Sequence, residues 1–163
     1  MANERKTENI VRKHFEKFSK SCIIEEQRSD SPRIQKLLKN ASKKGNNAGY
    51  PEFIIQVKGT NNFLIVVECK PDIKKHQSKN LDKPADYAVD GVLLYASFLS
   101  KEFDVLAIAV SGETQRDLRV SHFLNLKGDH RPAFTIFSDK LLDIDSYVSG
   151  YLNSPEKFRQ DYD

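Results

Sequence analysis

Cysteine is scarce: in 163 residues only Cys22 and Cys69 occur, each inside an apolar run. That excludes a disulfide framework and a cysteine-based zinc cluster, and it implies reduced, buried thiols in a reducing compartment, the cytoplasm. Long apolar runs are also missing. None approaches the length that spans a bilayer, and Met1-Ala2-Asn3-Glu4-Arg5-Lys6 lacks the apolar stretch of a signal peptide, so no membrane partner is expected. No G-x-x-x-x-G-K-[ST] phosphate loop occurs, which excludes an ATP-driven motor. A methyltransferase glycine motif, a helix-turn-helix and a zinc finger are absent as well. The net charge of +3 is too mild to identify a polyanion partner by itself. No internal repeat or low-complexity segment appears. At 39% hydrophobic, the chain can bury one core and is short for two.

What is present is one short constellation. Pro51-Glu52 opens the apolar run Phe53-Ile54-Ile55, and Glu68-Cys69-Lys70 closes the run Phe63-Leu64-Ile65-Val66-Val67. Both runs read as strands because β-branched and aromatic residues dominate them, and Gly59-Thr60-Asn61-Asn62 is hairpin turn chemistry. Pairing the strands brings the acids together. Alternation points Glu68 and Lys70 to one face and Cys69 to the other. Two carboxylates converging beside a lysine repel each other unless a cation sits between them, and hard divalent ions take oxygen ligands of this kind. The pattern therefore predicts a metal-dependent phosphodiesterase site. Other acid-x-Lys and Pro-acid combinations, such as Asp72-Ile73-Lys74 and Pro155-Glu156, flank no apolar strand. The plain alternative is a solvated Glu68–Lys70 ion pair with Glu52 beside a turn.

Along the chain, Ile10, Val11, His14, Phe15 and Phe18 predict an amphipathic helix over about 7–19, followed by a strand at Cys22-Ile23-Ile24-Glu25-Glu26. Ser31-Pro32 reads as a helix start, with Ile34, Leu37, Leu38 and Ala41 on one face until Gly45, and the flexible loop 45–49 follows. The segment 71–83 reads as a charged loop. A long helix is expected over about 84–99, burying Tyr87, Ala88, Gly91, Leu94, Tyr95 and Phe98. Strands are expected at 104–110, 118–126 and 133–137, with a weak helix around 144–152 in a polar tail that adds little to the core.

This order, and the stretches Thr7-Glu8-Asn9-Ile10, Gly49-Tyr50-Pro51-Glu52-Phe53-Ile54, Val66-Val67-Glu68-Cys69-Lys70, Asp86-Tyr87-Ala88-Val89-Asp90-Gly91 and Ala107-Ile108-Ala109-Val110-Ser111-Gly112, resemble the PD-(D/E)XK nuclease superfamily. Within it the chain is similar to the N-terminal nuclease domain of type I restriction enzyme R subunits and of enzymes that fuse a nuclease to a methyltransferase. The resemblance covers about residues 7–125. It departs from the family in two places: Glu52 replaces the usual aspartate, and Lys83 stands where many R subunits carry a glutamine four residues before the tyrosine, here Tyr87.

The resemblance implies an α/β fold, a restriction-endonuclease-like three-layer sandwich with a central mixed β-sheet flanked by helices. It implies a Mg²⁺-dependent DNA endonuclease of a prokaryotic restriction system, with Mn²⁺ able to substitute, leaving 3′-OH and 5′-phosphate ends. Glu52, Glu68 and the backbone carbonyl of Cys69 would hold the metal, and Lys70 would hold or help deprotonate the attacking water. Glu8 is either an acid brought to the metal's water shell or an acid favoured at a helix N-terminus. Glu26 is a further catalytic candidate, in which case Glu25 faces solvent. Lys43, Lys44, Lys74, Lys75, Lys79, Lys83 and Tyr87 are candidates for contact with double-stranded DNA, against the plain reading of a solvated polar face. His76 and His122 read as surface or packing residues, and Ser111-Gly112 as a strand-ending turn. Residues 1–138 are expected to form the nuclease domain and 139–163 a C-terminal extension or a connector to a downstream methyltransferase, or to helicase and specificity domains in the same chain or complex, a small stand-alone nuclease being the other reading. Cutting both strands calls for two such sites, from a transient dimer or a recruited second enzyme. The alternatives are a repair or junction-resolving nuclease of the same superfamily and a catalytically silent DNA-binding or assembly module.

Overall fold

The runs 53–57 and 63–70 are apolar and β-branched, and the chain reverses between them through Gly59, whose φ of +82° would strain any side chain. In the computed structural model, which describes residues 3–45, 47–129 and 133–162, they form β2 (Phe53–Val57) and β3 (Phe63–Lys70) of an antiparallel hairpin. Phe53 lies opposite Val67, so Glu52 and Glu68 arrive together at one end of the sheet. β1 (Cys22–Glu26) adds antiparallel to β2, and β4 (Asp104–Ser111) runs parallel to β3. β5 (Arg119–Asn125) and the short β6 (Phe134–Thr135) follow antiparallel, giving a six-stranded mixed sheet in the order β1-β2-β3-β4-β5-β6. The parallel pair needs a crossover, which loop 71–87 and α3 (Ala88–Leu99) supply.

Strand alternation divides the core into two layers. Ile55, Ile65, Val67, Cys69 and Ile108 meet α1 (Glu4–Glu16) and α4 (Ile144–Leu152), where Val11, Phe15 and Tyr147 are fully buried. Ile54, Leu64, Val66, Ala107 and Ala109 meet α2 (Pro32–Leu37) and α3. The protein is thus a mixed α/β fold with helices on both faces of the sheet, and β3 and β4, covered on both sides, read as unbroken apolar runs. Among the described residues no helix is long and apolar enough to cross a membrane.

Several elements differ from expectation, each for a local reason. α1 starts at Glu4 rather than Thr7 because the Asn3 side chain accepts the Arg5 N–H at 3.0 Å. α2 starts as expected, with Ser31 accepting the Ile34 N–H at 3.4 Å, but it stops at Leu37. There the chain folds back: Gly49 donates to the Leu38 carbonyl and packs so closely that a Cβ would lie 2.7 Å from Ser42 Cα. Asn46, within the expected loop, lies outside the described residues. α3 begins at Ala88, with Val89, Val92 and Ala96 buried while Leu94 and Phe98 are only half-buried. Asp90, 2% exposed, has a carboxylate that accepts the N–H groups of Ser78 at 3.1 Å and Lys83 at 3.0 Å and so ties loop 78–87 to the first turn of the helix. The last strand is cut to two residues, with Phe137 at a φ of +66° beyond it.

The polar tail requires a larger correction, because α4 belongs to the core. Its Tyr147 hydroxyl accepts the Leu142 N–H at 2.9 Å and hydrogen-bonds the His122 ring at 2.8 Å. Tyr151 stacks on Phe63 at 4.1 Å and donates to Asp104. A further helix, α5 (Pro155–Tyr162), follows.

Candidate active site

The site lies where β3 ends and β2 begins. Glu68 is the last buried even-numbered position of β3, turned with Leu64 and Val66 toward α3, and it is 1% exposed. Its two oxygens have different partners. Oε1 accepts the backbone N–H of Glu52 at 2.9 Å, and Oε2 accepts the Lys43 ammonium. Burial pushes its carboxyl up to about 7, against the pull of Lys43. Gly91 makes room for this pair: a Cβ there would stand 3.1 Å from Glu68 Oε2 and 3.5 Å from Lys43 Cε. Lys43 was expected among the DNA contacts, yet the turn at 42–45 sends it inward over the Tyr95 ring, 5.6 Å from its centroid.

The carboxylate of Glu52 faces α1. One oxygen from each of Glu4, Glu8 and Glu52 lies within 4.8 Å of the others. The helix is anchored there because Thr7 donates to the Gly112 carbonyl at 2.6 Å, beside the end of β4. Burial raises the Glu8 carboxyl to about 7, helped by a hydrogen bond with Glu52 and by the charges of Glu52 and Glu4. Glu4 is raised as well, by burial and then by Glu52, with Lys70 opposing. Since α1 starts at Glu4, Glu8 sits in its second turn, beyond the reach of a macrodipole argument. Glu4 is a residue that the sequence reading missed. Its signal was the i, i+4 spacing to Glu8, a like-charge pair that weakens an isolated helix.

Lys70 follows Glu68 on the same face and donates to the Ala85 carbonyl at 3.0 Å. Its charge reaches Glu4. Cys69 faces the opposite layer, where its thiol is fully buried and pushed upward by that burial. Glu26 stands apart: it is exposed, and Arg12 holds it through Nε at 2.9 Å and a second guanidinium nitrogen. Glu25, expected to face solvent if Glu26 turned inward, is instead 5% exposed. It accepts Ser29 Oγ at 2.8 Å, the Asp30 N–H at 2.6 Å and Gln56 Nε2 at 3.1 Å. These donors from both flanks outweigh the simple alternation rule.

Of the other expected DNA contacts, Lys44, Lys74, Lys75, Lys79 and Lys83 are exposed, the last four on loop 71–87. Lys75 lies over the Tyr87 ring at 5.0 Å. His76 pins that loop from beneath: it is buried, each ring nitrogen is 2.8 Å from a hydroxyl, of Ser111 and of Ser121, and burial lowers it to about 4, so it is neutral. His122 is likewise a packing residue, lowered to about 4 by burial.

The donor set fits a hard divalent cation. It offers carboxylate oxygens from Glu4, Glu8 and Glu52 at separations within 4.8 Å, close to the roughly 4.2 Å that spans an octahedral Mg²⁺ shell; the Glu68 carboxylate lies outside that trio, bonded to the Glu52 backbone N–H. Glu4, Glu8 and Glu68 are all raised toward neutrality, by burial first, with the charge of Glu52 adding to it. Neither a protein-family model, nor a curated protein, nor a solved structure matches the chain.

Proposed function

We propose that the chain is a Mg²⁺-dependent deoxyribonuclease domain with a restriction-endonuclease-like sandwich, as its resemblance to PD-(D/E)XK nucleases implies. The observation that carries this reading is the gathering of the Glu52, Glu4 and Glu8 carboxylates at the end of the hairpin that also carries Lys70, with Glu68 bonded to the Glu52 backbone N–H. Glu52 and the α1 acids would hold the cation, and Glu68, once Lys43 lets go, would complete the set with the Cys69 carbonyl. A bound Mg²⁺ supplies charge neutralisation at the phosphoryl oxygens and a more acidic water. Lys70 would position that water and offset charge on the phosphate in the transition state. Lys74, Lys75, Lys79 and Lys83 would contact the backbone on either side, without reading bases.

The test is Lys70→Ala. It should abolish Mg²⁺-dependent plasmid nicking while leaving DNA retention on filters nearly unchanged. Equal nicking by variant and parent would remove the mechanism. One observation favours a second reading, a silent DNA-binding module of the same fold: the Lys43 ion pair already neutralises Glu68. Calorimetry separates the two, since a silent module takes up no Mg²⁺. The reading frame beyond residue 163 would place a nuclease in its system, a motor pointing to a type I enzyme and a methyltransferase to the fused kind.

A further inference from the structure

We propose that the outer face of α1 and the β4–β5 connector form a second track for the phosphate backbone of the nucleic acid, holding it beyond the cleaved bond; this rests on the nuclease reading above. Two adjoining concavities meet at Lys17, and their walls carry Lys6 and Lys13 from α1, Arg116 from the connector and Lys140. Only two acids, Glu113 and Asp139, line them. Glu113 engages Lys6 at 3.9 Å. Lys13, Lys17, Arg116 and Lys140 are exposed, and among the described residues none of them is in an ion pair.

The cations of α1 are patterned. Lys6, Lys13 and Lys17 fall on one stripe of the helix, roughly opposite Glu4 and Glu8 at about 3.6 residues per turn. Between Lys6 and Lys17 the axis advances about 16 Å, the axial length of about five nucleotides of one strand. The same helix therefore separates an acidic seat from a basic track.

That track is continuous with the loop flanking the site. Arg119, which opens β5, donates to the Ile73 carbonyl at 3.2 Å and so seats the connector against the loop that carries Lys74 and Lys75. The Gly112 N–H, at the start of the connector, donates to the Lys70 carbonyl at 3.0 Å. Positive charge thus runs from the loop through Arg119 and Arg116 into the groove, around the strand ends where the acids lie. This continuity selects nucleic acid over an acidic protein as the occupant. Flexible ammonium groups contact phosphates rather than base edges, so the track lengthens the footprint and adds no sequence preference.

The test is a variant of the full chain carrying Lys13→Ala, Lys17→Ala, Arg116→Ala and Lys140→Ala, compared with the parent by fluorescence anisotropy on a labelled duplex of about 30 base pairs over a KCl series. The salt slope of the logarithm of affinity should become shallower by about 0.9 for each phosphate that the variant no longer neutralises, up to about 3 or 4. Mg²⁺ uptake by calorimetry should stay as in the parent, because these residues lie away from the acids. A variant with the parent's slope, where the parent binds DNA, overturns the track and leaves the nuclease reading standing. A parent that retains no duplex sinks that reading and the track with it.

Discussion

Replacing Glu68 by glutamine isolates the cost of a carboxylate kept inside the sheet. Glu68 is 1% exposed, and burial raises its carboxyl from an ordinary 4.5 to about 7, the nearby Lys43 ammonium opposing the rise. The unfolded chain gives up this proton near 4.5 and the folded chain only near 7, so between those values the folded state holds the extra proton. The stability it contributes is complete below about 4.5 and is lost as pH climbs through about 7. At about 1.4 kcal/mol per pH unit, the gap amounts to about 3 kcal/mol. Glu68→Gln keeps the volume and an acceptor for the Glu52 N–H, and the Lys43 ammonium, whose side chain is 18% exposed, can turn to water. Urea unfolding without divalent ions at pH 5 and pH 8 measures the effect. The parent should lose about 2 to 3 kcal/mol more than the variant over that interval, since a little of the loss already lies below pH 5, the other carboxyls cancelling in the difference. Mg²⁺ added at pH 8 should restore part of this to the parent alone, since it binds the native state. Equal pH dependence in the two proteins would refute the burial argument.

Gly91→Ala should cost about 1–3 kcal/mol in urea unfolding despite the helix preference for alanine, because its Cβ would stand 2.9 Å from the Pro84 carbonyl and 3.1 Å from Glu68 Oε2. The same variant should bind Mg²⁺ more weakly in calorimetry, as Glu68 is pushed from its place. Glu8→Gln should raise the melting temperature at pH 8, by relieving repulsion with Glu4 and Glu52, and weaken Mg²⁺ binding by about tenfold, the equivalent of about 1.4 kcal/mol. Tyr147→Phe should cost about 1–3 kcal/mol in chemical denaturation, because the His122 ring and the Leu142 N–H both lose a buried partner.

The hairpin was legible because β-branched runs and a turn containing glycine are local signals, and with it came the placement of Glu52 opposite Glu68. β5 was legible from the alternation of Val120, His122, Leu124 and Leu126, all of them buried. What the sequence hid depended on partners distant in the chain. Lys43 looks like one lysine of a basic cluster until the turn at 42–45 and the bare Cα of Gly91 let it reach Glu68. Asp90 looks like a solvated helix residue until the loop's N–H groups close on it. The aromatic residues of α4 looked like a weak helix because their partners, His122, Phe63 and Asp104, lie on strands read separately.

The manner in which acids are satisfied elsewhere in this protein bears on what the cluster is for. Glu25, nearly buried, takes a hydroxyl, a backbone N–H and an amide. Glu26 takes a guanidinium, and Asp104 accepts the Tyr151 hydroxyl, the Lys127 N–H at 2.7 Å and the Gln160 amide at 3.2 Å. Those are the marks of carboxylates that serve the fold: donors converge on them from neighbouring elements. Glu4, Glu8 and Glu52 are arranged the other way. They face one another, the Gln27 amide donates to Glu52 at 2.7 Å, and Lys70, whose charge reaches Glu4, gives its hydrogen bond to the Ala85 carbonyl. Burial raises Glu8 to about 7, and the hydrogen bond and charge of Glu52 add to the rise, so without a cation the trio favours keeping a proton. Packing alone would not gather them, since each added carboxylate makes the next costlier to ionise. A divalent ion reverses that sign, turning the mutual repulsion of the acids into shared attraction, so the feature that weakens the empty fold is the one that would make it bind.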